Sequence, residues 1–257
     1  MRWHRSARAR QGRVVLSDLV DLVLPASCAL CHRPGGPLCP GCRRVVEDCL
    51  HPAPRIAVPS PCPPGMPQCW VTGEASGALR AVVTAYKDEQ RRDLRRPLAA
   101  WLTPALRTAV GDSAVARRAL VGRGLIIVPV PGSPRARRRR GEVPLRPLVA
   151  SAVAGLGGRA VVADVIAATR VTRDQSTLDA RERASNLAGA MMVRERHLPA
   201  LRGAVCVVVD DLVTTGATLA EASRALREAG AAEVLAAAIG ATRKRADADR
   251  TLPRGSP

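Results

Sequence analysis

Two neighbouring acidic residues, Asp210 and Asp211, follow an apolar run at residues 205–209. After them comes the segment Leu-Val-Thr-Thr-Gly-Ala-Thr, which ends at Thr218. Its amides and hydroxyls can surround a phosphate, and Gly216 lets the backbone approach the anion closely. The carboxylates fit the same ligand where it also carries sugar hydroxyls, because each can accept a hydrogen bond from one hydroxyl. The pattern therefore predicts a site for a sugar phosphate.

The spacing of this segment differs from two common phosphate-binding motifs. A P-loop requires G-x-x-x-x-G-K-[ST], and a dinucleotide fingerprint places its glycines directly after the strand. A helix dipole contributes only about 0.3–1 kcal/mol, whereas micromolar binding needs about 8 kcal/mol. Several amides, hydroxyls and a second charged site must therefore contribute. The alternative is a plain strand-turn-helix with an acidic N-cap.

Four cysteines near the N-terminus have the spacing of a metal site. Cys28 and Cys31 form one C-x-x-C pair, and Cys39 and Cys42 form a second. Each pair can place two sulfurs on one tetrahedral ion, at about 2.3 Å for zinc. Four thiolates fill the coordination sphere, so the pattern predicts a structural zinc, with His32 as a spare ligand. A reduced, metal-free turn is the alternative.

The elements that would position these residues alternate between helix and strand from about residue 69 onward. Helical patterns lie at residues 75–86, 92–110, 144–156, 181–187 and 217–229. Strand patterns lie at residues 124–131, 161–168, 190–193, 205–209 and 233–239. Short apolar strands between helices indicate an α/β fold with a mostly parallel sheet flanked by helices. Ligands of such sheets sit beyond the carboxyl ends of the strands, where the two acids would lie.

The first 70 residues have a different composition. Residues 13–24 predict a short amphipathic helix, and residues 1–50 as a whole predict that helix followed by the zinc module. Residues 51–70 contain seven prolines, which exclude a helix or a central strand and indicate a linker or an extended covering segment. No apolar run approaches the roughly 18–20 residues of a membrane span, so we expect a cytoplasmic protein. Four further cysteines have no metal-site spacing and are expected to be incidental or, for the last, part of the core: Cys49, Cys62, Cys69 and Cys206.

The charge balance is strongly basic. The formal net charge is +18, with 40 basic and 22 acidic residues. This excess indicates an anionic partner such as nucleic acid. Biased codon usage is the alternative explanation for the many arginines, although it does not explain the shortage of acids. Stacking on single-stranded bases has little support, because Trp3, Trp70, Trp101 and Tyr86 are the only aromatic residues.

The stretch VCVVVDDLVTTGATLAEA, at residues 205–222, resembles the phosphoribosyl-pyrophosphate (PRPP) binding motif of type I phosphoribosyltransferases. The rest resembles the ComF family of competence-associated proteins, which join that domain to a small N-terminal four-cysteine zinc module. The resemblance covers nearly the whole chain, through LVDLVLPASCALC, LCPGC, ASGALRAVVTAYK, IIVPVP followed by Arg138-x-Arg140-Gly141, Gln175-x-x-Leu178 and Arg183-x-x-Asn186. It implies a phosphoribosyltransferase-like domain at residues 71–257.

The resemblance also implies roles for individual residues. Asp210 and Asp211 would hold the ribose of PRPP. The 5′-phosphate would lie on the loop residues Thr214, Thr215, Gly216, Ala217 and Thr218. Magnesium would accompany PRPP on its pyrophosphate and hydroxyl oxygens, and the candidates for the pyrophosphate side are Lys87, Arg138 and Arg140. A solvated basic loop is the alternative for the two arginines, and a surface position is the alternative for Lys87.

One segment departs from the family pattern. Where the family usually has Phe, Asn and Gln after Arg-Gly, this chain has Glu142, Val143 and Pro144. Contacts that the family makes through those side chains do not transfer to this chain.

Two functions are consistent with the sequence. The first is a magnesium-dependent phosphoribosyltransferase-like protein that binds PRPP, has an unknown acceptor, and acts in DNA uptake during natural transformation, as the family association implies. The second is a non-catalytic module of the competence machinery that binds single-stranded DNA or other competence proteins. The acidic pair and its loop favour the first, and the basic charge and zinc module favour the second.

Overall fold

The computed structural model describes residues 27–132, 145–169 and 189–242. The helices are α1 (Pro40–Glu47), α2 (Gly77–Asp88), α3 (Arg95–Asp112), α4 (Ala114–Val121), α5 (Leu145–Val153), α6 (Leu198–Leu201) and α7 (Ala217–Glu228), with short 3-10 turns at Arg92–Leu94 and Glu195–His197. The strands are β1 (Leu50–Ile56), β2 (Cys69–Glu74), β3 (Leu125–Pro129), β4 (Ala160–Val162), β5 (Ile166–Ala168), β6 (Met191–Val193), β7 (Val205–Val209), β8 (Leu212–Val213) and β9 (Glu233–Ala241).

Seven strands form one mostly parallel sheet. Their order is β1-β2-β9-β7-β3-β4, and β8 pairs with the end of β9. Only β1 runs antiparallel to its neighbour, β2. In the centre, Val207 of β7 lies in register with Ile127 of β3 and Leu235 of β9. Every residue of β7 is buried, which requires cover on both faces of the sheet, and the helices supply it.

The predicted fold class is confirmed: a mostly parallel sheet is flanked by helices. Helices α2, α3, α5 and α7 and strands β3, β6, β7 and β9 lie where the sequence predicts them, with small differences at their ends. Cys206 is fully buried in β7, as expected of a core residue. The predicted helix at residues 13–24 and the helical turn at residues 181–187 fall outside the described residues.

One predicted strand, at residues 161–168, is wrong. The structure divides it into β4, which pairs with β3 in the main sheet, and β5, which pairs with β6 in a separate antiparallel ribbon. The chain leaves the main sheet between the two, where Asp164 pairs with Arg146 at 2.9 Å. An apolar run shows that a segment is buried but does not show which sheet it joins, so the division could not be predicted from the sequence.

The separate ribbon is fixed to α7 by a buried carboxylate. Glu221, only 6% exposed, accepts a hydrogen bond from the Met191 amide at 2.9 Å. Arg224 pairs with Glu221 at 2.7 Å and donates to the Met191 carbonyl, also at 2.7 Å. Burial alone would raise the pKa of Glu221, but the Arg224 and Met191 contacts outweigh it and lower the pKa. An ionised, fully partnered carboxylate therefore joins β6 to α7.

The proline-rich residues 51–70 contribute to the main sheet and to its cover. Pro52 and Pro54 lie in β1, an edge strand, where a missing backbone N–H breaks no central ladder. The segment then passes over the start of α7 before it enters β2. Its Gly65 carbonyl accepts a hydrogen bond from Arg227 of α7 at 3.0 Å. The segment is thereby fastened to the helix that follows the predicted phosphate loop.

Within the three described ranges, none of the helices has both the length and the apolar character that a membrane crossing requires.

Candidate functional site

Asp210 and Asp211 lie at the carboxyl end of β7, at the edge of the sheet. The Asp210 amide donates to the Ala237 carbonyl of β9 at 3.1 Å, which continues the strand by one residue. The Asp211 carbonyl accepts from the Ile239 amide at 3.0 Å, so the chain crosses towards β9. Two side-chain bonds shape this turn: the Asp211 amide donates to Asp210 Oδ1 at 2.9 Å and the Leu212 amide donates to Asp211 Oδ1 at 2.7 Å.

After the acids, the chain forms the short strand β8 and then a compact turn into α7. Thr214 is exposed and Thr215 half-buried, and the Thr215 hydroxyl accepts from the Ala217 amide at 3.4 Å. Gly216 is the N-cap of α7 and has a φ of 75°, in the left-handed region that favours glycine. The amides at the start of this helix and its positive dipole end face the same sheet edge as the acids.

Gly216 also has a packing reason to be glycine. A Cβ atom there would lie 2.3 Å from Met66 Sδ and 3.2 Å from Pro59 Cγ. Both residues belong to the proline-rich segment, which therefore forms one wall of the turn. Met66 was not a predicted site residue, because proline content indicates an extended chain and does not show what the chain covers.

Lys87, near the end of α2, pairs with the second acid. Its Nζ lies 2.5 Å from Asp211 Oδ2, and the two side chains are 39% and 8% exposed. Burial lowers the pKa of the Lys87 ammonium, but the negative charges of Asp211 and Asp210 outweigh it and raise the pKa. The sequence suggests the pyrophosphate side or a surface position for Lys87, and the structure places it at the acidic pair.

Asp210 carries the unbalanced charge of the group. Its burial and the neighbouring charge of Asp211 raise its pKa to about 7, although Lys87 offsets part of that effect. Without a ligand, the protonated form of Asp210 is therefore more favoured than in an exposed aspartate. A ligand that donates hydrogen bonds to Asp210, or a cation beside it, would favour the ionised carboxylate.

The two buried thiols of the sheet, Cys69 and Cys206, are not nucleophiles. Burial, with a smaller contribution from Asp210, raises the pKa of Cys69 in β2. Burial also raises the pKa of Cys206 to about 12. A thiol must ionise to act as a nucleophile or metal ligand, so these two remain core residues.

The four predicted zinc ligands come together. The sulfurs of Cys28, Cys31, Cys39 and Cys42 all lie within 4.8 Å of one another. Cys31 Sγ and Cys39 Sγ are 3.7 Å apart, and a tetrahedron with zinc–sulfur bonds of about 2.3 Å has edges of about 3.8 Å. Burial disfavours a thiolate at Cys28, but amide hydrogen bonds from Cys31 and Cys39 lower its pKa to about 6. The neighbouring sulfur of Cys39, together with burial, raises the pKa of Cys42 to about 12, so the thiols do not all favour ionisation by themselves. The cluster has the size that a zinc ion requires.

Local backbone geometry builds this cluster. The Cys28 amide donates to the Arg33 carbonyl at 2.8 Å, which closes the first knuckle. Cys39 is the N-cap of α1, and its sulfur accepts from the Cys42 amide at 3.5 Å. Pro40 occupies the first turn of α1, where no amide is needed. His32 is exposed, and its place is outside the four-sulfur cluster.

Several predicted residues cannot be placed. The described ranges do not include Arg138, Arg140 or residues 142–144, which differ from the family pattern. They also do not include the Gln175-x-x-Leu178 and Arg183-x-x-Asn186 motifs. The loop after β3 is described as far as Gly132. The pyrophosphate-side roles of the two arginines therefore stay predictions.

Comparisons with known proteins agree with this architecture. The phosphoribosyl transferase domain family matches residues 139–256. Two proteins named DNA utilization protein YhgH, from Salmonella typhi and Salmonella typhimurium, are each 30% identical to this chain over 230 residues, covering 83% of this chain and 96% of the relative. A hypoxanthine phosphoribosyltransferase structure from Staphylococcus aureus shares 10% identity and a TM-score of 0.30, covering 57% of this chain and 60% of its own. That structural similarity is too low to support an argument.

The raised pKa of Asp210 predicts a pH dependence of stability. Between the ordinary pKa of 3.8 and about 7, the folded state keeps a proton that the unfolded state has lost. The free energy of unfolding should therefore fall as pH rises through this window, by at most about 1.4 kcal/mol per pH unit. Asp210→Asn cannot ionise, so its stability relative to the parent should rise with pH and level off above about 7. Urea unfolding between about pH 5 and about pH 8 measures this difference.

Asp164→Asn is the matched control, because Asp164 is exposed and paired on the surface. Its stability relative to the parent should not vary over that pH range. A flat difference for Asp210→Asn as well would show that the pKa of Asp210 is not raised.

Proposed function

This chain belongs to the ComF family of phosphoribosyltransferase-like proteins, and we propose that it binds PRPP, or a related ribose 5-phosphate ligand, at the carboxyl edge of its sheet. The observation that carries the proposal is the placement of the two acids at the end of β7, separated only by the short strand β8 from a glycine turn into the N-terminus of α7. This arrangement offers hydrogen-bond acceptors for hydroxyls and donors for a phosphate within one short segment.

Each part of the ligand has a partner in this segment. Asp210 and Asp211 accept hydrogen bonds from the ribose hydroxyls. The 5′-phosphate would lie in the turn formed by Thr214, Thr215, Gly216, Ala217 and Thr218, where the first turn of α7 supplies backbone amides and the threonines supply hydroxyls. Asp211 is almost buried, so its hydrogen bonds to the ligand form away from water and are correspondingly strong.

Lys87 supplies a positive charge at the same edge. Without a ligand it pairs with Asp211 at 2.5 Å. When a phosphorylated ligand binds, the ammonium can share its charge between Asp211 and the phosphates. Arg138 and Arg140 would add to that positive charge on the pyrophosphate side, as the family resemblance implies.

The acidic pair also fits the magnesium ion expected with PRPP. Magnesium prefers oxygen ligands and usually takes one or two carboxylates together with phosphate oxygens and water. Asp210 and Asp211 are the carboxylates available for that role, and the ion would neutralise charge on the departing pyrophosphate. The described residues of the turn contribute hydroxyl and amide groups only, which suit the phosphate and not the metal.

Phosphoribosyl transfer would need an acceptor. In that reaction the bond between C1 of the ribose and the pyrophosphate oxygen breaks, and the acceptor forms a bond to C1. No histidine lies between residues 205 and 218 to serve as a base. The proposal therefore extends to binding and leaves the acceptor unnamed.

Calorimetric titration of PRPP with magnesium tests this proposal. We expect binding by the parent protein and a loss of at least about 100-fold in affinity for Asp210→Asn/Asp211→Asn, because two charge-assisted hydrogen bonds at about 1.5 kcal/mol or more are lost. Asp112→Asn is the control, since Asp112 pairs with Gln68 near the opposite edge of the sheet and should bind normally. No heat from the parent protein would rule the proposal out.

We also propose that the four cysteines hold a structural zinc. Thiolates require a reducing compartment, which supports a cytoplasmic location. The parent protein should be isolated with one zinc per chain, and Cys39→Ser should lower both the zinc content and the thermal midpoint. Cys62→Ser should change neither, because Cys62 is exposed and outside the cluster. Elemental analysis decides the matter, and a parent protein without metal at full stability would contradict it.

The relatives named DNA utilization proteins support a role for this chain in DNA uptake during natural transformation. A second candidate function, a non-catalytic module that binds single-stranded DNA or other competence proteins, is favoured by the net charge of +18. We expect the affinity for an unstructured oligonucleotide to fall with salt, with a log–log slope of about −0.7 for each phosphate contacted. Fluorescence anisotropy over a salt series measures that slope. Absence of binding at low salt would remove this candidate and leave PRPP binding unaffected.

A further inference from the structure

The cysteine module, residues 27–49, contacts both ends of α2, the helix that carries Lys87. At the start of α2, the Cys49 carbonyl accepts from the Glu74 amide at 2.8 Å, and Cys49 Sγ lies 4.0 Å from the carbonyl of Ser76, the N-cap. Beyond the end of α2, Arg91 Nη2 donates to the Ser27 carbonyl at 2.6 Å. The helix is therefore held between two contacts with the same module.

Arg91 links its own backbone to the last turn of α2. Gln90 has a φ of 56°, which turns the chain back on the helix, and the Arg91 amide then donates to the Ala85 carbonyl at 3.3 Å. The bonded turn from Ala85 to Arg91 contains Lys87. A displacement of Arg91 would therefore move the turn that aims the Lys87 ammonium at Asp211.

The Arg91 side chain is itself fixed. Asp93 pairs with the guanidinium at 2.7 Å, and the two side chains are only 21% and 23% exposed. The charge of Asp93 raises the pKa of Arg91 despite some burial, so the group is always charged. A charged, largely covered guanidinium with two acceptors has little freedom to leave the Ser27 carbonyl.

The position of the Ser27 carbonyl depends in turn on the first cysteine knuckle. Ser27 forms a bridge with Pro34, and the next residue, Cys28, donates its amide to Arg33. Cys28 is fully buried and presents the first sulfur of the cluster. The knuckle that a metal ion would close therefore carries the acceptor of Arg91.

We propose that the cysteine module, with its metal bound, positions Lys87 at the acidic pair, and that Arg91 is the residue that transmits this positioning. Metal occupancy at the cluster and ribose phosphate binding at the sheet edge are then coupled. The coupling is reciprocal, because two sites that influence one equilibrium change each other's affinity by the same factor. The part that concerns the ligand rests on the proposed function, whereas the positioning of Lys87 does not.

The chain offers a direct probe, because Lys87 and Lys244 are its only lysines. Biosynthetic labelling with lysine enriched in carbon-13 at Cε gives two side-chain NMR signals, and Lys87→Arg identifies that of Lys87. Asp211→Asn calibrates the shift of that signal when the ion pair is lost. These measurements use the zinc-loaded full chain without ligand and do not depend on activity.

We expect Arg91→Gln to move the Lys87 signal towards its position in Asp211→Asn, and to weaken binding of ribose 5-phosphate by about 5-fold or more. In a Lys87→Ala background, Arg91→Gln should cause no further loss of affinity, because the residue that it positions is gone. Arg43→Gln is the matched control. Arg43 is an arginine of the same module, pairs only loosely with Glu47 at 3.9 Å, and is half exposed, so its change should leave the Lys87 signal in place.

Each outcome decides a separate point. An unchanged Lys87 signal in Arg91→Gln overturns the inference. A shifted signal together with a parent protein that does not bind ribose 5-phosphate overturns the proposed function and leaves the positioning intact. If Arg91→Gln does not fold, removal of zinc from the parent by a chelator replaces it, and an unmoved Lys87 signal then overturns the inference. A similar shift from Arg43→Gln would show a general loosening of the module and would also overturn it.

Discussion

The ion pair between Lys87 and Asp211 is the interaction on which the candidate site depends. Two adjacent carboxylates at the end of a buried strand repel each other and lose hydration, and one lysine offsets only part of that cost. Asp211 pairs with the ammonium, while burial and the charge of Asp211 raise the pKa of Asp210 to about 7. A cation or a hydrogen-bond donor beside Asp210 would favour its ionised form.

This charge balance explains the path of α2. A helix that follows a strand in an α/β sheet usually returns along the sheet face, as α3 and α7 do through their contacts with β2 and β9 and with β7 and β9. Helix α2 instead begins after β2 and brings its last turn to Asp211, at the carboxyl end of β7. It buries residues such as Leu79 and Val82 in the core, and the cysteine module adds a contact near each of its ends.

Much of the core and of the phosphate turn follows from local sequence patterns. The strand at Val205–Val209 and the position of the acids at its end could be predicted. A five-residue apolar stretch followed by a charged pair and a glycine is consistent with few arrangements other than strand, turn and helix. The spacing of the four cysteines likewise predicted that their sulfurs form one cluster. The partner of Lys87 could not be predicted, since a lysine near the end of an amphipathic helix carries no information on distant contacts. The ribbon formed by β5 and β6 could not be predicted either, because an apolar run does not show which sheet a segment joins.

Gly216 shows how the proline-rich segment belongs to the site. A glycine in this turn would suffice for a phosphate to approach the backbone, yet Met66 lies where a Cβ atom would be, and Pro59 lies close to it. The packing of the proline-rich segment therefore requires glycine at position 216, because a larger residue there would displace the segment even without a ligand. The division of the chain into separate segments at residues 50 and 70 stays a prediction. The residues between them contribute the edge strand β1 and, through Met66, one wall of the turn. The covered wall of the turn is thus formed by Met66 and Pro59, and the acidic pair carries the positive charge of Lys87.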